Sequence, residues 1–225
     1  MEPISLARGV PGPECLPLAE LADCARAAIL SDGETVLSYG PGGGYPLLRE
    51  WISERHGVEP EQVVLTNGSL QGFQFVAEVL ASTGPVLVEA PTYDRPLKIL
   101  ASLGAEVIPV PLDEEVTIGS GAFLYTIPTF QNPTGRTLPL DRRKRLAKLA
   151  KAGLLVLEDD PYGLVRFDGK ALPTVFEPST QGPSSGWGNF VCSAFSWIPY
   201  EFPDWRCVRS TLRAISFSRP AGMSK

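Results

Sequence analysis

The sequence predicts an α/β protein: a three-layer sandwich around a mostly parallel sheet. Three observations carry this. From residue 63 onward, short apolar runs alternate with segments of helical period. The apolar runs are four or five residues long and lack polar alternation, as expected of strands covered on both faces. Gly and Pro make up 44 of the 225 residues, well above an average of roughly 12%. They punctuate the apolar runs instead of forming a low-complexity tract.

The elements follow in order. Residues 1–38 form an arm with one helical stretch at 18–30, where Leu18, Leu21, Ala22, Ala25 and Ala28 recur at helical spacing. Residues 39–175 form the α/β domain. It opens with the loop 38–45 and a helix over 46–55. The period then predicts strands at 63–66, 86–89, 106–110, 123–127 and 154–158, and helices at 69–81, 94–103 and 140–151. Residues 176–225 form a tail rich in Ser, Pro and Gly at 177–185. It holds three of the four Trp and has no readable period. Such a tail is expected to pack poorly against the sheet and to carry few hydrogen bonds.

Composition excludes several functions. The net charge is −5, which disfavours a nucleic-acid binder that relies on phosphate neutralisation. The helix over 140–151 is locally basic (Arg142, Arg143, Lys144, Arg145, Lys148 and Lys151). Its apolar stripe of Leu146, Leu149 and Ala150 makes the basic side a solvated face. The four cysteines have no C-x-x-C spacing and the one histidine, His56, precedes Gly57 at a helix end, so a zinc centre is not expected. There His56 reads as a cap and not as a catalytic base. No apolar run reaches membrane-spanning length, and the expectation is a cytoplasmic protein with reduced thiols.

Three segments at strand ends are suited to chemistry. Thr66-Asn67-Gly68-Ser69-Leu70-Gln71 puts a Gly-Ser turn before a helix, where free amides suit an anion and Ser69 equally suits an N-cap. Glu158-Asp159-Asp160-Pro161-Tyr162 places three acids at the carboxyl end of a strand, where ligands of open α/β sheets bind. Gln131-Asn132-Pro133-Thr134-Gly135 reads as a turn that admits a cis bond. The glycines at 40–44 do not spell G-x-G-x-x-G, which disfavours a nicotinamide-dependent oxidoreductase.

Together with Ile4-Ser5-Leu6-Ala7-Arg8-Gly9-Val10-Pro11, Tyr39-Gly40-Pro41-Gly42-Gly43-Gly44-Tyr45-Pro46 and Pro91-Thr92-Tyr93, these segments resemble the fold-type-I pyridoxal-phosphate aminotransferases of class I/II, in particular the 2-aminoadipate and kynurenine aminotransferase group. The resemblance runs to about Pro173 and implies that 39–175 is a partial cofactor-binding large domain. It implies pyridoxal 5'-phosphate as cofactor, an amino acid and a 2-oxo acid as substrates, and a homodimer. By the same resemblance, Gly68, Ser69 and the Leu70 amide cradle the cofactor phosphate, although the family usually has Gln at position 70. Tyr93 stacks on the ring, Asn132 and Tyr162 serve its 3-oxygen, and Asp159 pairs with its nitrogen. Ser196 and Arg206 are the nearest matches to further phosphate ligands, and Tyr39 to a tyrosine that reaches the partner subunit's cofactor. The resemblance also implies a cis Asn132–Pro133 bond.

The match fails at one decisive position. The family's Ser-Phe-Ser-Lys, whose lysine forms the Schiff base and carries the substrate proton, aligns with Ala194-Phe195-Ser196-Trp197. None of the six lysines (98, 144, 148, 151, 170 and 225) occupies that motif. Nothing after Arg206 resembles the family's small domain, so a truncated or frameshifted chain is expected. Two functional readings stand: a family member whose amino transfer is lost in this chain, or a non-catalytic remnant that binds pyridoxal phosphate or phosphate.

Overall fold

The structure, a computed structural model, describes residues 12–111, 123–164 and 166–176, together with the backbone of two strands at 190–193 and 213–216. Of these, residues 12–40 belong to one compact unit and the rest to a second.

The first unit is a 3-10 turn, Pro13–Cys15, followed by α1, Leu18–Val36. The helix runs past the predicted end because only Asp32 leaves helical geometry, at φ −150° and ψ 35°. A kink at one residue interrupts the period without ending the hydrogen-bonded run. Cys15 and Cys24 form no disulfide and are half-buried.

The second unit contains α2 (Pro46–His56), β1 (Val63–Thr66), α3 (Ser69–Leu80), β2 (Val86–Ala90), α4 (Asp94–Ser102) and β3 (Val107–Pro111). It continues with β4 (Phe123–Thr126), α5 (Leu140–Lys151), β5 (Val156–Asp159), β6 (Phe190–Ser193) and β7 (Arg213–Ser216). One sheet runs in the order β1-β7-β6-β5-β4-β2-β3. The pairs β3–β2, β2–β4, β4–β5 and β5–β6 are parallel, and β7 is antiparallel to both neighbours. The predicted mostly parallel sheet is therefore present.

Both faces are covered, as the unalternated apolar runs require. Val86, Val88, Phe123, Tyr125 and Leu157 point to one face and pack against Phe73, Val76 and Ala77 of α3 and Leu100 of α4. The intervening Leu87, Leu124 and Val156 point to the other face, against Leu146, Ala147 and Ala150 of α5. At the β1 edge, Ile52 of α2 packs on Val63. The glycine-rich loop belongs to this packing. Leu65 donates its N–H to the Gly43 carbonyl, and Gly44 lies at φ +100° with Leu65 where a Cβ would sit. As expected, α2 ends at His56 with Gly57 in the left-handed region (φ +62°). Burial and the neighbouring Arg55 charge hold the His56 imidazole below its ordinary pKa.

Two expectations need correction. The segment 176–225 contributes β6 and β7, whose backbones are hydrogen-bonded into the sheet. Four-residue strands paired with distant partners leave no local period to detect. The side-chain packing expected of this tail lies outside the described residues. The second correction concerns α5, whose basic residues do not all form a solvated face: Arg143 is fully buried. It shares a stripe with Leu146, Ala147 and Ala150, at helical positions i, i+3, i+4 and i+7.

Candidate functional site

The parallel strands end along one edge of the sheet, and the loops that leave them bring most of the predicted site residues together. Ser69, Leu70, Tyr93 and Asp159 line one cleft with Phe73, Pro96 and Tyr125; its open volume is about 230 Å³. Four of the predicted residues therefore converge although they lie up to 90 positions apart.

Each wall has a local cause. Gly68 caps α3 at φ +113° and ψ 146°, a conformation reserved for glycine, and offers no side-chain cap. The Ser69 and Leu70 amides thus sit in the first helical turn, where a helix supplies no acceptor of its own. Ser69 is the first helical residue, so its alternative reading as the N-cap is corrected: Gly68 holds that place. Asp159 ends β5 and is buried. Its Oδ2 accepts a hydrogen bond of 2.8 Å from the hydroxyl of Tyr125 on β4. Tyr125 also stacks edge-on against Phe73, with ring centroids 5.1 Å apart. Sequence reading missed Tyr125 and Phe73 as parts of the site. The available signal was the phenol in an otherwise apolar strand, since a buried Tyr hydroxyl needs a polar partner.

The loop after β4 carries Asn132, and the Asn132–Pro133 bond is cis, as the resemblance implies. Asn132 donates from Nδ2 to the Tyr162 hydroxyl at 3.4 Å. Tyr162 and Tyr93 both pack on the core cluster that contains Tyr125 and Leu157. Gln131 fastens this loop to the one that carries Tyr93: its Nε2 donates to the Pro91 carbonyl at 2.7 Å, and its Oε1 accepts from the Thr134 amide at 3.0 Å. Below lies Glu89, which accepts from the Thr126 hydroxyl at 2.5 Å and the Ile127 amide at 3.1 Å; burial pushes its pKa up.

Tyr39 belongs to the first unit and is fully exposed. Ser196, Trp197 and Arg206 lie outside the described residues. Among the described residues, no cluster of His, Cys, Asp or Glu could hold a metal ion, and no helix is long and apolar enough to cross a membrane.

The donor set fits a phosphorylated pyridine. Amides at a helix start match a phosphate, a buried carboxylate matches a ring N–H⁺, and the Asn132–Tyr162 pair matches a phenolate-type oxygen.

Comparison with known proteins agrees with this. The family model for aminotransferase class I and II matches residues 12–183. The chain is 39% identical over 186 residues to the 2-aminoadipate transaminase of Thermus thermophilus, covering 77% of this chain and 47% of that protein. It is 33% identical over 198 residues to aromatic-amino-acid aminotransferase 1 of Thermococcus litoralis, covering 76% and 47%. Among solved structures, an alpha-aminoadipate aminotransferase from Thermus thermophilus, complexed with N-(5'-phosphopyridoxyl)-L-leucine, superposes with a TM-score of 0.78 at 33% identity. That match covers 94% of this chain and 55% of the other. The chain spans about half the length of the curated relatives it matches. It belongs to the class I and II aminotransferases, within the fold-type-I pyridoxal-phosphate enzymes.

Proposed function

We propose that this chain binds pyridoxal 5'-phosphate in the cleft at the carboxyl edge of its sheet and does not complete amino transfer by itself. In this reading, the whole protein moves an amino group from an amino acid to a 2-oxo acid. The observation that carries the cofactor reading is the convergence of Ser69, Leu70, Tyr93 and Asp159 on one cleft. When bound, pyridoxal phosphate supplies an electron-poor ring that accepts the electron pair released at the substrate α-carbon.

The chain's own residues do the rest. The Gly68–Leu70 turn binds the phosphate through amides and the positive end of α3. The Asp159 carboxylate, oriented by the Tyr125 hydroxyl, favours a protonated ring nitrogen. Tyr93 stacks on the ring, and Asn132 with Tyr162 hydrogen-bonds its 3-oxygen. Where the family carries its lysine, position 197 is Trp, and an indole has no amine for a covalent link or proton transfer. Ser196 and Arg206 remain proposed phosphate ligands. The reading extends to a cytoplasmic homodimer in which Tyr39 reaches the partner's cofactor phosphate, in keeping with the exposure of Tyr39.

The test is to titrate the full chain with pyridoxal phosphate, reduce with borohydride and map adducts by mass spectrometry. Saturable binding that dialysis reverses, with no lysine adduct and no oxo-acid formation from any amino acid, is the expected result. No saturable binding would sink the cofactor reading. A single reduced lysine adduct with turnover would overturn the inactivity, and Lys98 and Lys170 would be the first to mutate.

A further inference from the structure

The buried guanidinium of Arg143 does not line the cleft, yet it binds both ends of the loop that carries Asn132 and the segment whose amides hold Glu158. Arg143 is 0% exposed. Its Nη2 donates to the Pro128 carbonyl at 2.6 Å and to the Thr129 hydroxyl at 3.0 Å. Its Nε donates to the Leu138 carbonyl at 2.8 Å, and its Nη1 to the Pro173 carbonyl at 3.0 Å. Pro128 and Leu138 are the two ends of the loop that carries Asn132, closed by the Leu138 amide on the Pro128 carbonyl at 2.7 Å. Pro173 leads into Val175 and Phe176, whose amides both donate to the Glu158 carboxylate at 3.0 Å.

The charges follow the same pattern. Arg143 attracts Glu158 and Asp160, the acids on either side of Asp159. Asp160 in turn accepts from the Thr129 hydroxyl and the Gly163 amide. Arg143 and Thr129, both buried, and the half-buried Asp160 thus form one relay between the loop that carries Asn132 and the strand end that bears Asp159. A planar fork reaches acceptors in three segments at once, which an ammonium on a flexible stem does not.

We propose that Arg143 is a positioning residue of the cofactor site, holding the Asn132 loop and the Glu158-Asp159-Asp160 run in one register. This rests on the reading of Asn132 and Asp159 as cofactor-facing groups. It also separates two duties of the side chain. Its charge offsets buried acids and so supports the fold. Its directed hydrogen bonds set the spacing of the loops and so support the site.

Four variants of the full chain separate the duties: Arg143→Lys, Arg143→Met, Thr129→Val and the double variant Arg143→Met/Asp160→Asn. Each is measured for pyridoxal-phosphate affinity, for urea midpoint, and, free of cofactor, for amide hydrogen exchange over 128–136 and 159–163. Arg143→Lys is expected to weaken affinity about tenfold and to raise exchange in both segments while leaving α3 protected. Thr129→Val, nearly isosteric, should show a smaller change of the same kind. The double variant should recover only part of the urea midpoint lost in Arg143→Met and leave affinity low, because one acid is neutralised with the cation but the loop bonds do not return. Affinity that tracks the urea midpoint across the set would overturn the inference, as would Arg143→Lys exchanging and binding like the unaltered chain. If the unaltered chain fails to bind the cofactor, the proposed function falls and the exchange data alone decide whether Arg143 sets the register.

Discussion

Asp159 is a residue whose place could be read before the fold was known, because an acid just past an apolar strand in an α/β sheet lands where ligands bind. Its support was not readable. Tyr125 counts as a core residue in any apolar-run reading, and only the structure puts its hydroxyl 2.8 Å from Asp159 Oδ2. Tyr125→Phe is expected to destabilise the chain by roughly 1–3 kcal/mol, the range for a buried acceptor left without its donor, and to weaken pyridoxal-phosphate binding. Urea unfolding with a parallel cofactor titration checks both. Gly68 is a second case, legible as a turn but not as a cap. At φ +113° and ψ 146°, Gly68→Ala should cost about 1–3 kcal/mol and reduce affinity for inorganic phosphate as well as for the cofactor. An Ala variant with an unchanged unfolding midpoint would show that the turn relaxes at no cost. Arg143 illustrates the opposite error. Lys144 and Arg145 beside it are exposed cations, and the rule that charges lie outside outweighed its position on the buried stripe.

At the scale of elements, the boundaries of α2, α3, β2, α4 and α5 were legible to within a residue or two because each carries its own period or cap. The helix α3 shows how one element serves both packing and site. Phe73 fills the space under the sheet against Phe123 and Tyr125, with centroids at 6.2 and 5.1 Å, and also lines the cleft. Phe73→Ala should lower stability by about 3–5 kcal/mol, whereas Phe73→Leu should cost markedly less, since it keeps most of the volume. Thermal unfolding of the two variants, with cofactor titration alongside, distinguishes a core role from a cleft-lining one: affinity lost equally in both would point to the ring itself. The strands β6 and β7 were illegible for a physical reason. Neither has a helix or turn that marks it in sequence, and their identity comes from partners brought by the rest of the sheet.

For the molecule as a whole, the alternating order of strands and helices was enough to predict the layers, because a strand apolar on both sides must be covered on both. Its electrostatics were not legible, since they depend on which acids the fold buries. Burial raises the Glu158 carboxyl to about 7. The unfolded chain releases that proton near pH 4.5, so between these values the folded state binds more protons and stability falls as pH rises. The loss across the window is on the order of 3 kcal/mol, and Glu89, also raised by burial, adds in the same direction. Glu158→Gln should flatten this slope. It should be less stable than the unaltered chain at pH 5, where its amide NH₂ meets a backbone donor, with the difference narrowing by pH 8. Urea midpoints at several pH values test it; an unchanged slope would mean that Glu158 does not titrate there. The antiparallel β7 has a temporal consequence. Among the described strands β1 pairs only with β7, which lies roughly 150 residues further along the chain. A polypeptide leaving the ribosome therefore makes β1, with α2 against it, well before the strand that pairs with it, while β2 to β5 assemble among near neighbours. A strand made late in this span seats one made early.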